Sequence, residues 1–390
     1  MLQILKEQKE RVLERITQYH LREWRGSDGN VFFISDGYPG LWLEHTYDPV
    51  VWAQYDPTQR KIPVNQIRLF LSYQKEDGQL PCYIWKDAIG YSQTQECVSF
   101  AALCLETVKM NPDEPEFLTE CYEGCAKWDA WLEAHRMTTQ NGLIEVFGGF
   151  DTGHDNSYRL HGTKYHGCCP QDDAGVAPTD DELFPMVGID MSAIFYGSRV
   201  ALSEMAKMLG KEKEAAEWAR KAEFVRKRMM ESCYDPQTEF FYDLDKNGNQ
   251  RKIKTIAITN VLNEGVMEDE LANRVIERHM FNEKEFWAPI PFPSLAMNEG
   301  YWFKNLDGNS WNYYSQGLTA LRTLRWMVRY GKEEQMKEVM RRWIEAWVKD
   351  GKFDLGQELD PITGVPSVSS PRYSSAMLYF LVAIRHLYGI

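Results

Sequence analysis

Apolar residues recur at helical spacing along most of the chain. Within 2–18, Leu2, Leu5, Val12, Leu13 and Ile16 fall on one stripe, which predicts an amphipathic helix. The pattern returns over 65–73, just after Pro63, and again over 97–108 and 115–135. A further run, 190–209, stops at Gly210, a residue suited to the left-handed position after a helix. Residues 211–233 follow at once, so these two helices form a hairpin. Runs over 268–279, 313–330, 333–348 and 374–388 bring the total to about ten, with more helix expected in 40–62 and 255–263. One stretch reads as β. FFYDLDKNGNQRKIKT (240–255) alternates aromatic and polar positions and then turns at Asn247-Gly248, which predicts a small hairpin. Its Asp243-x-Asp245-x-Asn247-Gly248 start is like an EF-hand loop, but Lys254 stands at the twelfth position, where calcium needs a bidentate Glu.

Five connections are long, aromatic and rich in Gly or Pro: 28–48, 78–92, 140–187, 283–312 and 351–373. A simple bundle would use short links. Long structured loops on a helical scaffold tend to carry function. Because long and short links alternate, the pattern suits an all-α toroid of inner and outer helices with the long loops over one mouth. No Ser/Gly linker or break in composition divides the chain, so residues 1–390 are expected to form one domain.

Composition narrows the partners. The net charge of −13 disfavours nucleic acid and an anionic membrane face, both of which call for a basic surface. The 13 Trp, 20 Tyr and 18 Phe suit a carbohydrate site, although most such rings pack cores. Eight cysteines in a chain of 390 residues make no small-domain disulfide framework. Cys121-x3-Cys125 lacks further ligands for zinc, and the adjacent Cys168 and Cys169 read as free thiols. The charged start, MLQILKEQKE, has no signal-peptide core, and no run of about 18 apolar residues occurs. The expectation is a cytoplasmic protein with reduced thiols.

The chemistry concentrates in GGFDTGHDNSYR (148–159). A glycosidase needs a proton donor and a second carboxylate on the other side of the sugar. Asp151 and Asp155 share one short loop, so one of them at most fits the donor, with its partner elsewhere. Asn156 and Arg159 add donors suited to sugar hydroxyls, and His154 would tune or orient the acid. The competing reading is an Asp/Asn/Gly turn that caps the next element. The acidic run Thr179–Glu182 reads as a cap or a solvated loop.

DTGHDNSYR resembles the E-S-G-(M/W)-D-(N/F)-S-x-R motif of the α-toroid glycoside hydrolases of family 63, which include processing α-glucosidases and mannosylglycerate hydrolases, and of the family 37 trehalases. IDMSAIFYGSRVALSEMAKMLGKEKEAAEW (189–218) and ELDPITGVPSVSSPRYSSAMLYFL (358–381) are similar to two later segments of these families. The resemblance spans roughly residue 140 to the end. It implies an (α/α)6 toroid, inverting cleavage of a small α-glycoside such as a disaccharide or glycosyl-glycerate, and no metal or organic cofactor. It makes Asp155 the general acid and leaves Asp151 where the families have Glu. In the families the general base is a Glu three residues before the Asp of Asp-Pro, and here that slot holds Gln357, with Glu358 one residue later. The reading favoured on sequence is that the loop shifts by one residue and Glu358 is the base. The alternatives are a phosphorylase or another sugar-modifying toroid without the base, or a toroid that binds sugar without turnover. YPGLWLEHTYDPVVW (38–52) resembles the families' first loop, which suggests Trp42 and Glu44 as sugar contacts. NSWNYYSQG (309–317) keeps Trp311 but lacks the families' Arg-Gly-Pro, and it contributes Gln316. Gln93 and Gln95 in GYSQTQE complete the expected set. The sequence leaves the oligomeric state open.

Overall fold

The computed structural model describes all residues except 25–28, 36, 37, 39, 140, 301, 303–309, 369 and 370. Pro39, Asn309, Ser369 and Ser370 of the stretches quoted above therefore lie outside the described residues. The helices are α1 (Leu2–Arg15), α2 (Tyr47–Tyr55), α3 (Lys61–Ser72), α4 (Phe100–Met110), α5 (Pro115–His135), α6 (Ile189–Met208), α7 (Glu212–Ser232), α8 (Ile258–Glu264), α9 (Asp269–Val275), α10 (Gly317–Arg329), α11 (Glu333–Asp350) and α12 (Ser374–Tyr388). Their packing closes a ring: α2 touches α4, α4 touches α6, and the chain of contacts runs on through α8, α10 and α12 back to α2. The odd-numbered helices lie between these in sequence, and α3, α5, α7 and α11 pack on the ring from outside. This is the (α/α)6 toroid.

Sequence pattern explains which helix goes where. Inner α6 and α12 are buried on nearly every side, with Met191, Ala193, Ile194, Phe195, Ala201 and Leu202 in the first and the run Ser374–Leu381 in the second. A helix that is apolar all round must be covered all round. Outer α7 buries only Ala215, Ala222, Val225 and Met229, one narrow stripe, and shows Lys, Arg and Glu to solvent. Gly210 takes the left-handed conformation (φ 72°) that the α6–α7 hairpin requires.

Short strand pairs pin the long loops. β1 (Leu21–Glu23) pairs with β2 (Val31–Phe33). β3 (Gly40–Trp42), β4 (Tyr83–Trp85) and β5 (Ile89–Gly90) form an antiparallel three-stranded sheet. β6 (Glu145–Val146) pairs with β7 (Met186–Val187), β8 (Tyr234–Asp235) with β9 (Phe240–Phe241), and β10 (Ser315–Gln316) with β11 (Glu358–Leu359). The hairpin expected over 240–255 differs in detail. Residues 240–241 pair backwards with 234–235, and only a Leu244–Gln250 bridge flanks the Asn247-Gly248 turn. Among the described residues, no helix is long and apolar enough to cross a membrane. All eight cysteines are free thiols.

Candidate active site

The loop that opens the α6 segment is built around Asp151. Its side chain is fully buried and accepts from the backbone N–H of Phe147 (2.8 Å), Gly148 (3.1 Å) and Thr94 (2.9 Å). Opposite stands the equally buried Arg136, which donates to the same carboxylate and to the carbonyls of Glu145 (3.0 Å) and Ala174 (2.7 Å). Asp151 is thus a structural anion that folds 147–151 around itself. The two glycines that precede it leave no room for side chains: a Cβ on Gly149 would lie 2.0 Å from the His166 carbonyl oxygen, and one on Gly148 2.8 Å from that of Gly167. Gly153 turns the chain with φ 68°, where a Cβ would meet Cys97 Sγ at 2.6 Å. This turn delivers Asp155, whose carbonyl accepts from Trp311 N–H at 3.2 Å.

Asp155 lies half-buried on the wall of a cavity of about 130 Å³. An apolar cavity of roughly this size holds a six-membered ring. The lining comes from segments that each precede an inner helix: Tyr38, Trp42, Glu44 and His45 before α2, Gln93 and Gln95 before α4, Phe150, Gly153 and Asp155 before α6, and Gln357 and Tyr373 before α12. Ring closure in the fold is what brings these four segments together.

Glu44 is the second carboxylate of the cavity. It accepts from the Gln95 amide at 3.3 Å and faces the Arg322 guanidinium at 3.5 Å. Burial raises its pKa above the ordinary glutamate value, and Arg322 and Gln95 oppose that rise. Gln95 reaches it from a left-handed backbone (φ 47°), a conformation uncommon for a residue with a side chain. His45 donates to or accepts from the Tyr373 hydroxyl at 3.0 Å, and burial, with Arg322 and His20 adding to it, lowers its pKa to about 3, so the ring is neutral.

Residues 55–375 match the family described as the mannosylglycerate hydrolase MGH1-like glycoside hydrolase domain. The chain belongs to this family. Solved structures agree on the fold. The GH63 mannosylglycerate hydrolase from Thermus thermophilus, in complex with Tris, superposes with a TM-score of 0.73 at 18% identity, covering 97% of this chain and 99% of that one. Neutral trehalase from Saccharomyces cerevisiae gives 0.71 at 12% identity, over 97% and 80%. An uncharacterized protein of Borreliella burgdorferi is 25% identical over 146 residues, which is 37% of this chain and 29% of that relative.

In this toroid the expected sugar contacts separate into two groups, with Trp42 and Glu44 lying ahead of the 55–375 family match. Trp42, Glu44, Gln95 and Asp155 stand on one cavity. The others have different surroundings. Arg159, only 1% exposed, is a buried hub: it donates to Asp190 (2.5 and 3.0 Å) and Asp243 (3.0 and 3.0 Å), whose charges make its burial tolerable. Trp311 is buried and stacks on His154, ring centroids 4.3 Å apart. His154 itself is held neutral, its pKa lowered to about 3 by burial although Asp190 lies 3.7 Å away. Asn156 is exposed and faces a separate surface hollow with His161, His166 and Asn312. Gln316 is buried and donates to Glu358 (2.8 Å) and to the Ser310 carbonyl (3.2 Å).

Glu358 is fully buried, and Ser310 N–H also donates to it (2.7 Å). Gln357 and Glu358, the two residues at the expected base position, have different surroundings. Gln357 lines the cavity, its amide oxygen accepting from the Tyr38 hydroxyl at 3.0 Å. Glu358, the first residue of β11, pairs across to Gln316 of β10 and takes its hydrogen bond. Sequence reasoning did not single out His45, Phe150, Tyr373 or Arg322. His45 lay within the quoted first loop and Tyr373 within the quoted C-terminal segment, but Arg322 carried no signal, because its α10 pattern reads as an ordinary amphipathic helix.

Proposed function

We propose that the chain hydrolyses a small α-glycoside with inversion, with Asp155 as the proton donor and Glu44 as the carboxylate that takes the proton from the attacking water. The observation that carries this reading is that Asp155 and Glu44 are the two carboxylates lining one ring-sized cavity among the described residues, on segments far apart in sequence. Inverting cleavage requires two carboxyl groups across the sugar, about 6.5–9.5 Å apart. A raised pKa suits Glu44 to a base, since proton acceptors work best with a pKa near the working pH. Gln357 can hold the water through its amide oxygen but cannot take its proton. The small-substrate reading draws support from the mannosylglycerate hydrolase and trehalase names of the structural neighbours.

Gln357 also favours a second reading, in which phosphate attacks and no base is needed. Against it, no Lys or Arg lines the cavity among the described residues. Proton NMR of the protein with α-glucosides, α-mannosides and glycosyl-glycerates, with and without phosphate, separates the two. Initial release of free β-sugar without phosphate is expected. Asp155→Asn and Glu44→Gln should each lower kcat by about 10²–10⁴-fold, whereas Glu358→Gln should not. Turnover that requires phosphate would replace hydrolysis by phosphorolysis, and full activity in Glu44→Gln would remove it from the role of base.

A further inference from the structure

The cavity shares Trp42, Gln93 and Phe150 with a larger groove of about 630 Å³. Its floor is the β3–β4–β5 sheet. Trp42 sits directly across from Tyr83 in the register, and Trp85 is two residues further along β4, so all three rings project from one face. They pack as a continuous aromatic surface. Tyr83 and Trp85 stack with centroids 4.1 Å apart at 23°, and Trp42 lies 5.1 Å from Tyr83 and 5.5 Å from Trp85.

Glycines on the neighbouring strands make room for these rings. A Cβ on Gly90 would fall 2.1 Å from Tyr83 Cε1, and one on Gly40 2.9 Å from Trp85 Cδ1. Tyr83 and Trp85 therefore lean over the two glycines, stacked on each other, and Trp42 meets them at 54° and 68°. All three remain only partly buried, although a core cluster of this size would exclude water. The charged side chains of the groove are Lys75, Asp172 and Asp173, two negative against one positive, and the Lys75 ammonium already sits 4.1 Å over the Tyr91 ring and donates to Gln79.

We infer that this aromatic floor receives the second ring of a neutral saccharide whose first ring occupies the Asp155 cavity, so the substrate is a disaccharide or longer and not a glycoside of a small anionic acid. The exposed apolar parts of these rings meet sugar C–H groups there, and the acidic rim disfavours a carboxylate aglycone. The inference rests on the proposed sugar-binding role of the cavity. Two experiments test it together. Titration calorimetry would compare methyl α-glucoside and methyl α-mannoside with a panel of α-linked glucose and mannose disaccharides and with glucosylglycerate and mannosylglycerate. Saturation-transfer NMR on the unaltered protein would report which sugar ring contacts aromatic protons. A disaccharide is expected to bind about tenfold more tightly than the matching methyl glycoside, with saturation on its second ring. Trp85→Ala should remove that gain and leave methyl-glycoside affinity unchanged. Equal affinity for mono- and disaccharides, or a glycerate glycoside bound more tightly than the disaccharides, overturns the inference and leaves the cavity reading standing. Failure of every saccharide to bind overturns both. Should Trp85→Ala not fold, the ring-resolved saturation on unaltered protein still decides.

Discussion

Asp151→Asn tests the buried ion pair beneath the loop that presents Asp155. The substitution keeps the shape of the side chain and one oxygen to accept from Phe147 and Gly148 N–H, but it turns the oxygen that accepts from Thr94 N–H into an NH2. It also removes the charge facing Arg136, at a place where both side chains are fully buried. Removing one partner of a buried ion pair costs about 3–5 kcal/mol, because the survivor is left charged and out of water. Arg136 keeps two carbonyl partners and a Phe147 ring 4.0 Å beneath its guanidinium, which places the expected loss near the lower end, about 3 kcal/mol. That is a large share of the roughly 5–15 kcal/mol that holds a domain together. Urea unfolding at pH 7, followed by tryptophan fluorescence, measures it. Arg136→Met in the Asp151→Asn background removes the stranded charge and should return most of the loss. A cost below about 1 kcal/mol for Asp151→Asn, or a double variant as unstable as the sum of the two singles, would refute the account of Asp151 as the anion around which the acid loop folds.

Three further outcomes are expected. If Glu44 is the base, kcat/KM should fall as pH drops through a pKa above the ordinary glutamate value, since the working form is deprotonated, and Glu44→Gln should remove that acid limb; a pH profile measures this. Gln357→Glu placed into Glu44→Gln returns a carboxylate to the cavity wall and should recover at least about a tenth of the original kcat/KM, whereas Glu358→Gln should leave kcat/KM unchanged and lower thermal stability, because its carboxylate holds Ser310 and Gln316. Asp48 is buried against Ser374 and Ser375, and burial raises its pKa to about 6. A carboxyl with a raised folded-state pKa stabilises while protonated, so its contribution is present at acid pH and lost as pH rises through 6. Asp48→Asn should therefore flatten stability between about pH 4 and 7 and raise it at pH 8 by up to about 3 kcal/mol, since each tenfold change in proton affinity is worth about 1.36 kcal/mol; thermal melts across that range would show no such change if Asp48 is charged in the folded protein.

Sequence alone determined what depends on neighbours along the chain. Helical spacing located the helices, and the contrast between the apolar α12 and the one-striped α7 already separated covered from half-covered elements. The alternation of long and short links pointed to a toroid, and the GGFDTGHDNSYR stretch singled out the loop that carries Asp155. Tertiary structure decided everything that depends on what lies opposite. Arg159 read as a sugar contact until Asp190 and Asp243, 31 and 84 residues away, enclosed its guanidinium. Asp151 and Asp155 looked alike in one loop until Arg136 claimed the first. Gln357 and Glu358 differ by a single step along the chain, yet the first lines the cavity and the second meets Gln316 across β10. A residue's periodicity is local, but its charge partner and the surface it faces are set only when the ring of inner helices closes.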